Sequence, residues 1–553
     1  MKKKIYGNTA GLRNSQISNL EELYNFLTPP EYLVSSQIVF TLSKLSYEIK
    51  RQIGILINRN GKITHVIAGE PHRIVIPALN DYIIVPGKLR GVRCVHTHLK
   101  DEPLTQDDLT DLALLRLDYI SAICINQDGF PTNIYSSHIL PTETSAPYEI
   151  LKPIDIQKLN NNCGHQILSL ESELSKKNSL HKPKSGSENA FLINAISKND
   201  SSNLSNAYAS IEELKALCKT SKINIIGSAI QQRKNIDPKF VAGKGKLANL
   251  IIKAIQKHAT MLIFDRELTS SQIRAITDFV EIKVIDRTQL ILDIFAKHAK
   301  SREGKYQVEL AQMEYLLPRL ITKNTAMSRL TGGIGGRGPG ETKLEINRRR
   351  VRDRIHRLKK EINKIRKHRL VQKAKRKRGN LPIISIVGYT NVGKSTLLNT
   401  LTQSNITVAN RLFATLDPSS RRLRFPKDIE VIITDTVGFI QNLPKELLQA
   451  FHATLEELND ADIILHVVDI SNKNYDKQMK AVEKILEKLN LNQIPCLYLF
   501  NKMDKINLET FDNKFLLNQG IVISATQKQS LKPVIYKLEK LLKTSQKQDL
   551  SFP

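Results

Sequence analysis

One octapeptide limits what this chain can fold into. Gly388-Tyr-Thr-Asn-Val-Gly-Lys-Ser395 follows the apolar run Ile383-Ile-Ser-Ile-Val387 and precedes Thr396-Leu-Leu-Asn-Thr-Leu401, which reads as the first turns of a helix. A strand, a glycine-bearing loop and a helix, in that order, form the setting of a phosphate-binding loop. Gly388 and Gly393 let the N–H groups of Tyr389, Thr390, Asn391 and Val392 turn inward around phosphates. Lys394 can reach the outer phosphates, and the Ser395 hydroxyl can ligate Mg²⁺, with Thr396 opening the helix behind it. The octapeptide alone implies a nucleoside triphosphate and no particular base.

Three later segments narrow the base and the fold. Asp435-Thr-Val-Gly438 follows Val431-Ile-Ile-Thr434, so a carboxylate at a strand end can hold the Mg²⁺ shell. Thr436 and Val437 then lead to Gly438, whose N–H can sense a γ-phosphate. Asn501-Lys-Met-Asp504 follows Leu497-Tyr-Leu-Phe500. Beyond Lys502 and Met503, the Asp504 carboxylate can accept two hydrogen bonds from guanine, which adenine cannot offer. Ser524-Ala525-Thr526 follows Gly520-Ile-Val-Ile523 and suits a backbone contact to the guanine oxygen. The region resembles the translation-factor-related GTPases, and a doubly wound parallel-sheet GTPase domain is expected over 381–546.

Two residues bear on turnover. Phe439 stands where many GTPases carry a water-orienting Gln, and an apolar ring cannot orient water, so slow intrinsic hydrolysis is expected until a partner completes the site. Asn391 has two readings: a ligand-shell residue for K⁺ beside the phosphates, or a hydrogen-bonding residue of the loop.

Lys and Arg (83) exceed Asp and Glu (54) by 29, which points to a polyanionic partner. The excess is concentrated. Arg348 to Arg378 holds 17 basic residues against two acids. Leu344, Val351, Ile355, Leu358, Ile362 and Ile365 recur at sevens, threes and fours, the stripe of a helix with a basic outer face. Val308 to Leu317 is a candidate partner helix, and Gly332-Gly-Ile-Gly-Gly-Arg-Gly-Pro-Gly340 between them reads as a glycine-rich tip. The other reading of the charge run is a solvated face. The five cysteines have no paired spacing, which suits a reducing compartment and argues against a zinc ribbon. No run approaches the length of a spanning helix. A cytoplasmic protein is expected, with room for peripheral membrane contact.

Gly243-Lys-Gly-Lys246, Phe264 to Leu268, Asp286 to Phe295, Arg302-Glu-Gly-Lys305, Gln307 to Leu317, the glycine loop running into Glu341-Thr-Lys343, and Phe413-Ala-Thr-Leu-Asp-Pro418 together resemble the HflX-type GTPases, over about 187–525. The resemblance implies a GTPase with GTP/GDP and Mg²⁺ that binds the large ribosomal subunit and its RNA, and that dissociates or rescues stalled ribosomes under stress. An RNA-binding or membrane-surface GTPase switch is the alternative. The resemblance places Phe413, Ala414 and Thr415 in a switch, with Thr415 on Mg²⁺ and the γ-phosphate. Lys394, Thr415 and Gly438 are then the catalytic set, and Ser395, Thr415 and Asp435 the metal set. A monomer is expected. Gly243 to Lys246 reads as a loop-packing segment, with a second nucleotide site as the other reading. The helix expected over Leu531 to Lys543 ends close to the last residue, so the C-terminal appendage common in the family is short or absent.

Ahead of that core lies an extension. The expected organisation is an α/β domain over 1–155, a helix and polar linker over 156–186, the family α/β domain over 187–304, a helical hairpin over 305–380, the GTPase domain, and a tail over 547–553. Gln52 to Asn58 and Tyr119 to Ile125 read as strands, and Ile156 to Leu174 as a helix capped by Asp155. His96 and His98, two apart on a strand, share a face, and Asp108 could complete a zinc site with them. The pattern loosely resembles JAB/MPN metalloproteases. The spacing to Asp108 is about one residue short and Leu99 replaces the usual proline, so a degenerate domain without metal is the other reading.

Overall fold

A computed structural model describes residues 4–77, 79, 81–82, 88–140, 148–156, 163–180, 188–198, 204–280, 282–322, 343–377, 381–402, 419–425, 429–436, 438–440, 447, 456–506 and 520–549. Two compact units emerge: Met1–Ser202 with Asn224–Leu262 and Ala275–Lys283, and Asn203–Ile223 with Ile263–Arg274 and Val284–Pro553. The α/β class expected from the sequence is the one found.

In the first unit, β1 (Ile5–Gly7), β2 (Ile53–Asn58), β3 (Ile63–Ala68), β4 (Val92–His98), β5 (Ile120–Ile125), β6 (Pro131–Ile139), β7 (Tyr148–Ile150) and β8 (Ile154–Asp155) form one mixed sheet of order β1-β3-β2-β4-β5-β6-β7, with β8 also on β6. Alternation along the strands sends side chains to two cores. Ile55, Ile57 and Val95 meet Ile38, Val39 and Leu42 of helix Ser36–Ile49. Leu56, Val92 and Cys94 meet Leu109 and Leu112 of helix Gln106–Leu115. The same alternation puts His96 and His98 on the Cys94 face, under the second helix.

The helix expected over Ile156 to Leu174 is described from Cys163 and runs on to Leu180, with 157–162 outside the described residues. The expected cap is corrected, since Asp155 lies in β8, paired across from Asn133. A β-branched Ile154 beside the open edge of β6 gains a ladder there, and this outweighs the capping tendency of Asp155. A four-stranded sheet follows, of order β10-β9-β11-β12, from β9 (Asn189–Ser197), β10 (Asn224–Arg233), β11 (Met261–Phe264) and β12 (Lys283–Asp286).

The second unit holds β13 (Ile383–Gly388), β14 (Ser419–Arg424), β15 (Glu430–Asp435), β16 (Ile463–Asp469), β17 (Cys496–Asn501) and β18 (Gly520–Val522), in the order β14-β15-β13-β16-β17-β18. Every pairing is parallel except β14 with β15 at the edge. Parallel strands covered on both faces read as near-continuous apolar runs, which is how β13 and β16 read. The carboxyl ends of β13, β15, β16 and β17 deliver the motifs, as expected where loops leave such a sheet.

Helix Lys343–Lys377 spans 35 residues, about 52 Å at 1.5 Å per residue. Leu358 is buried, and Val351, Ile355, Ile362 and Ile365 are half-buried, so the stripe is real over its described side chains. It packs on helix Arg302–Leu316, where Glu309 pairs with Arg354 at 2.6 Å and Glu314 with Lys359 at 2.8 Å. Arg352, Arg357, Lys360 and Lys367 remain exposed. The glycine-rich tip, the segment 403–418 with Phe413, Ala414 and Thr415, Val437, and the linker 181–187 lie outside the described residues. The C-terminal helix is Lys532–Asp549, starting one residue later and running further than expected. Among the described residues no helix is long and apolar enough to cross a membrane.

Candidate functional site: a guanine nucleotide site

The loop after β13 is held by its own backbone. Gly388 has φ +154°, and a Cβ there would come within 2.4 Å of the Val467 carbonyl oxygen. Gly393 has φ +98°, and its Cβ would meet the Asn501 amide nitrogen at 2.4 Å. Both positions therefore require glycine. Asn391 adopts φ +63°, a left-handed geometry that Asn tolerates better than most residues. The loop is also fastened to the segment after β15. The Thr390 N–H donates to the Phe439 carbonyl at 2.8 Å, and the Phe439 N–H to the Gly388 carbonyl at 3.1 Å.

Lys394 starts helix Lys394–Thr402 and is buried. Its ammonium donates to the carbonyls of Gly388 at 3.1 Å and Tyr389 at 2.7 Å, folding back over the loop. Burial pushes its pKa down to about 8, against the pull of Asp435. A cation so placed gains greatly from an arriving polyanion. A Cβ on Gly438 would stand 3.0 Å from that ammonium and 2.9 Å from Thr390 Cγ2. Position 438 thus admits no side chain without displacing the lysine.

The Ser395 hydroxyl donates to Asp435 Oδ2 at 2.7 Å, and Asp435 is 1% exposed. Two hard oxygen donors meeting at a helix start fit Mg²⁺. Thr436 is anchored nearby by donating to the Ile386 carbonyl at 2.7 Å.

The base-reading segments converge on the same loop. Asn501 is buried and clamps two loops at once: its amide donates to the Val392 carbonyl at 2.7 Å, and its oxygen accepts from the Ala525 N–H at 2.8 Å. Asp504 is exposed after the short turn Met503–Lys505 and accepts from the Ser524 hydroxyl at 2.7 Å. Ser524 also meets the Thr526 hydroxyl at 2.9 Å, and the Ala525 carbonyl accepts from Thr400 at 2.6 Å.

Three residues escaped the sequence reading. Asp469 ends β16 and accepts from Lys502 at 2.6 Å, while Lys502 also donates to the Asn391 carbonyl at 2.9 Å. Its signal was available, since it is a carboxylate at the end of an apolar parallel-strand run. Glu213 and Arg287 carried no such signal. The Tyr389 hydroxyl donates to Glu213, which pairs with Arg287, and Arg287 donates to Asp265 at 2.9 Å. That buried chain ties the phosphate loop to helices Leu204–Thr220 and Arg287–His298.

A phosphate loop, an acid on its serine, and an Asn–Asp pair with a Ser–Ala loop on one parallel sheet define a P-loop GTPase. Comparison with known proteins refines that class. The family models described as "GTP-binding GTPase N-terminal", "GTP-binding GTPase Middle Region" and "50S ribosome-binding GTPase" match residues 208–296, 298–376 and 383–502. The "GTPase HflX" of Caldanaerobacter subterraneus subsp. tengcongensis is 45% identical over 344 residues, covering 62% of this chain and 79% of that one. That of Escherichia coli K12 is 40% identical over 302 residues, covering 55% and 70%. A solved structure of a GTP-binding protein from Sulfolobus solfataricus with GDP is 25% identical, with a TM-score of 0.36, covering 65% of this chain and 99% of that one. The chain belongs to the HflX family of GTPases, binds GTP and GDP, and hydrolyses GTP.

Proposed function

We propose that this GTPase acts in the cytoplasm on the large ribosomal subunit and separates or rescues stalled ribosomes. The observation that carries the reading is helix Lys343–Lys377, which seats its apolar stripe on helix Arg302–Leu316 and leaves Arg352, Arg357, Lys360 and Lys367 in solvent. A rigid basic rod of this kind suits the phosphate backbone of ribosomal RNA. The description "50S ribosome-binding GTPase" on the model matching 383–502 supports the same partner.

In this reading Lys394, Thr415 and Gly438 serve the γ-phosphate, and Asn501, Asp504, Ser524 and Ala525 hold guanine. Ser395, Thr415 and Asp435 would hold Mg²⁺, which neutralises charge on the β- and γ-phosphates when bound. Asn391 lends its left-handed turn to the loop and is a candidate neighbour of K⁺. Phe439 is 2% exposed, its ring in the core and its backbone bridging to Tyr389, so it offers no group to the attacking water. A ribosomal partner supplies or orders what is missing. The functional boundaries 1–155, 187–304, 305–380 and 381–546 belong to this proposal.

Co-sedimentation of the full chain with separated subunits tests it, in GDP and in a non-hydrolysable GTP analogue. Large-subunit binding favoured by the analogue is expected. Equal binding to both subunits, insensitive to nucleotide, would leave a general RNA-binding switch. Binding to anionic vesicles in place of subunits would leave the membrane-surface reading.

A further inference from the structure

His96, His98 and Asp108 have no part in nucleotide chemistry, yet they converge. His96 Nε2 and His98 Nε2 are 3.0 Å apart. Asp108 brings Oδ1 to 3.3 Å from His96 Nε2 and Oδ2 to 3.5 Å from His98 Nε2. His96 and His98 are 0% and 1% exposed and Asp108 is 8% exposed. With bonds of about 2.0–2.1 Å to zinc, neighbouring ligands of a tetrahedral site stand about 3.3 Å apart. The three measured spacings bracket that value.

The support around the cluster holds it in this form. β4 is an interior strand, and its register sets His96 opposite Gly54 of β2 and Ala122 of β5. Thr97, on the opposite face, is bonded to the Ser46 hydroxyl at 2.7 Å and accepts from the Ile53 N–H at 2.9 Å, so the strand cannot roll. His98 Nδ1 lies 3.0 Å from the Glu102 carbonyl oxygen. A proton on that nitrogen leaves the Nε2 lone pair aimed at His96 and Asp108, the arrangement in which an outer carbonyl orients a metal-ligating imidazole. Asp108 is held at the third position of helix Gln106–Leu115, where the Thr105 N–H and hydroxyl both donate to its Oδ2 at 2.7 Å. Two imidazole nitrogens 3.0 Å apart share either a hydrogen or a cation between them. The Nδ1 atom of His96 is buried without a hydrogen-bond partner, so this ring is engaged through Nε2 alone.

We propose that His96, His98 and Asp108 form a three-ligand site for a divalent cation of the zinc class, with the fourth position taken by water. Two nitrogens and one carboxylate oxygen select zinc or cobalt over calcium and magnesium, which prefer oxygen cages. The site lies in the first unit and is separate in residues and in metal preference from the Mg²⁺ position proposed at Ser395 and Asp435.

The test uses the full untagged chain, incubated with zinc, freed of loose metal, and assayed for zinc by elemental analysis. One zinc per chain is expected. Asp108→Asn, close in shape to the native side chain, should lose it while guanine nucleotide binding is unchanged. Thr105→Val keeps all three ligands and removes an outer hydrogen bond, and should weaken zinc by about 10- to 100-fold. Cobalt in place of zinc should give the visible bands of a four-coordinate site in the native chain and lose them in Asp108→Asn. A native chain that retains no zinc, or equal zinc in native and Asp108→Asn chains, overturns the proposal and leaves a hydrogen-bonded polar cluster.

Discussion

The two polar clusters of this molecule are built in opposite ways. The histidine–aspartate cluster sits on an interior strand of a mixed sheet, with every proposed ligand buried. Its geometry comes from ladder registers and one capping interaction, and nothing outside the unit is needed to assemble it. The nucleotide site sits on loops beyond the ends of parallel strands. It is fastened by main-chain hydrogen bonds at Gly388, Thr390 and Phe439 and by the Asn501 clamp, and it leaves Asp504 exposed. The first arrangement suits permanent occupation. The second suits a ligand that comes, is converted and leaves, under the control of something else. Closure or openness here follows from placement within the sheet more than from residue type.

The largest effect expected from that difference is on hydrolysis. With Phe439 committed to the core, the isolated chain should turn over on the order of 10⁻⁴ s⁻¹, and large subunits should raise this by about 10³-fold. Turnover measured alone and with purified large or small subunits decides it. Fast hydrolysis by the chain alone would mean the site is already complete and the contrast fails. The second effect is on base choice. Asp504→Asn should cost about 2–3 kcal/mol in GTP affinity, near 10²-fold, and should improve xanthosine triphosphate, whose ring offers a carbonyl where guanine has an amino group. Nucleotide titration would show it, and an unchanged GTP affinity would remove Asp504 from the site. The histidine cluster should be indifferent to either change.

Much of this was legible in the sequence, for a physical reason. A parallel strand buried on both faces announces itself as an apolar run, and a loop forced through glycine announces itself by composition. Together they singled out Lys394, Ser395, Asp435, Asn501 and Asp504 as candidates, which the fold brings around one loop. The histidine pair was legible through the period of two along β4, and Asp108 as a carboxylate following at a spacing that loosely resembles a metalloprotease pattern, while its capping position came from the structure. What stayed hidden depends on distance along the chain. The partners Tyr389 and Glu213 are 176 residues apart, and neither has a local pattern that names the other. The cap expected at Asp155 failed because the edge of β6 captured Ile154 and Asp155, a tertiary gain that no local window contains.

A third effect separates RNA binding from mere surface charge. Replacing Arg352, Arg357, Lys360 and Lys367 together by Ala should weaken large-subunit binding and lower its salt slope by about one for each phosphate no longer neutralised. Arg354→Ala is the control. Its exposed pair with Glu309 should contribute no more than about 1 kcal/mol to stability. Binding measured across a salt series reads both, and an unchanged slope in the fourfold variant would make the helix a solvated face.

The smallest effect sharpens the comparison at its least expected point, the dependence of nucleotide affinity on pH. Lys394 is pushed down to about 8 by burial without nucleotide. A bound polyphosphate favours the charged ammonium and raises that value, so binding above pH 8 must take up a proton. Affinity for GDP should therefore be flat below about 8 and fall as pH rises beyond it, by at most tenfold per pH unit. The same group acts on the nucleotide-free fold. Its folded pKa lies below the unfolded value of 10.5, so the unfolded chain binds more protons between about 8 and 10.5. Lysine burial then costs less as pH climbs through that window, and its contribution to stability rises while affinity drops. Calorimetric GDP titrations and nucleotide-free melting curves from pH 7 to 10 should move in opposite senses, with Lys394→Met flattening both. Parallel movement would mean that Lys394 meets solvent before the nucleotide arrives, and the loop would not be preassembled as its hydrogen bonds imply.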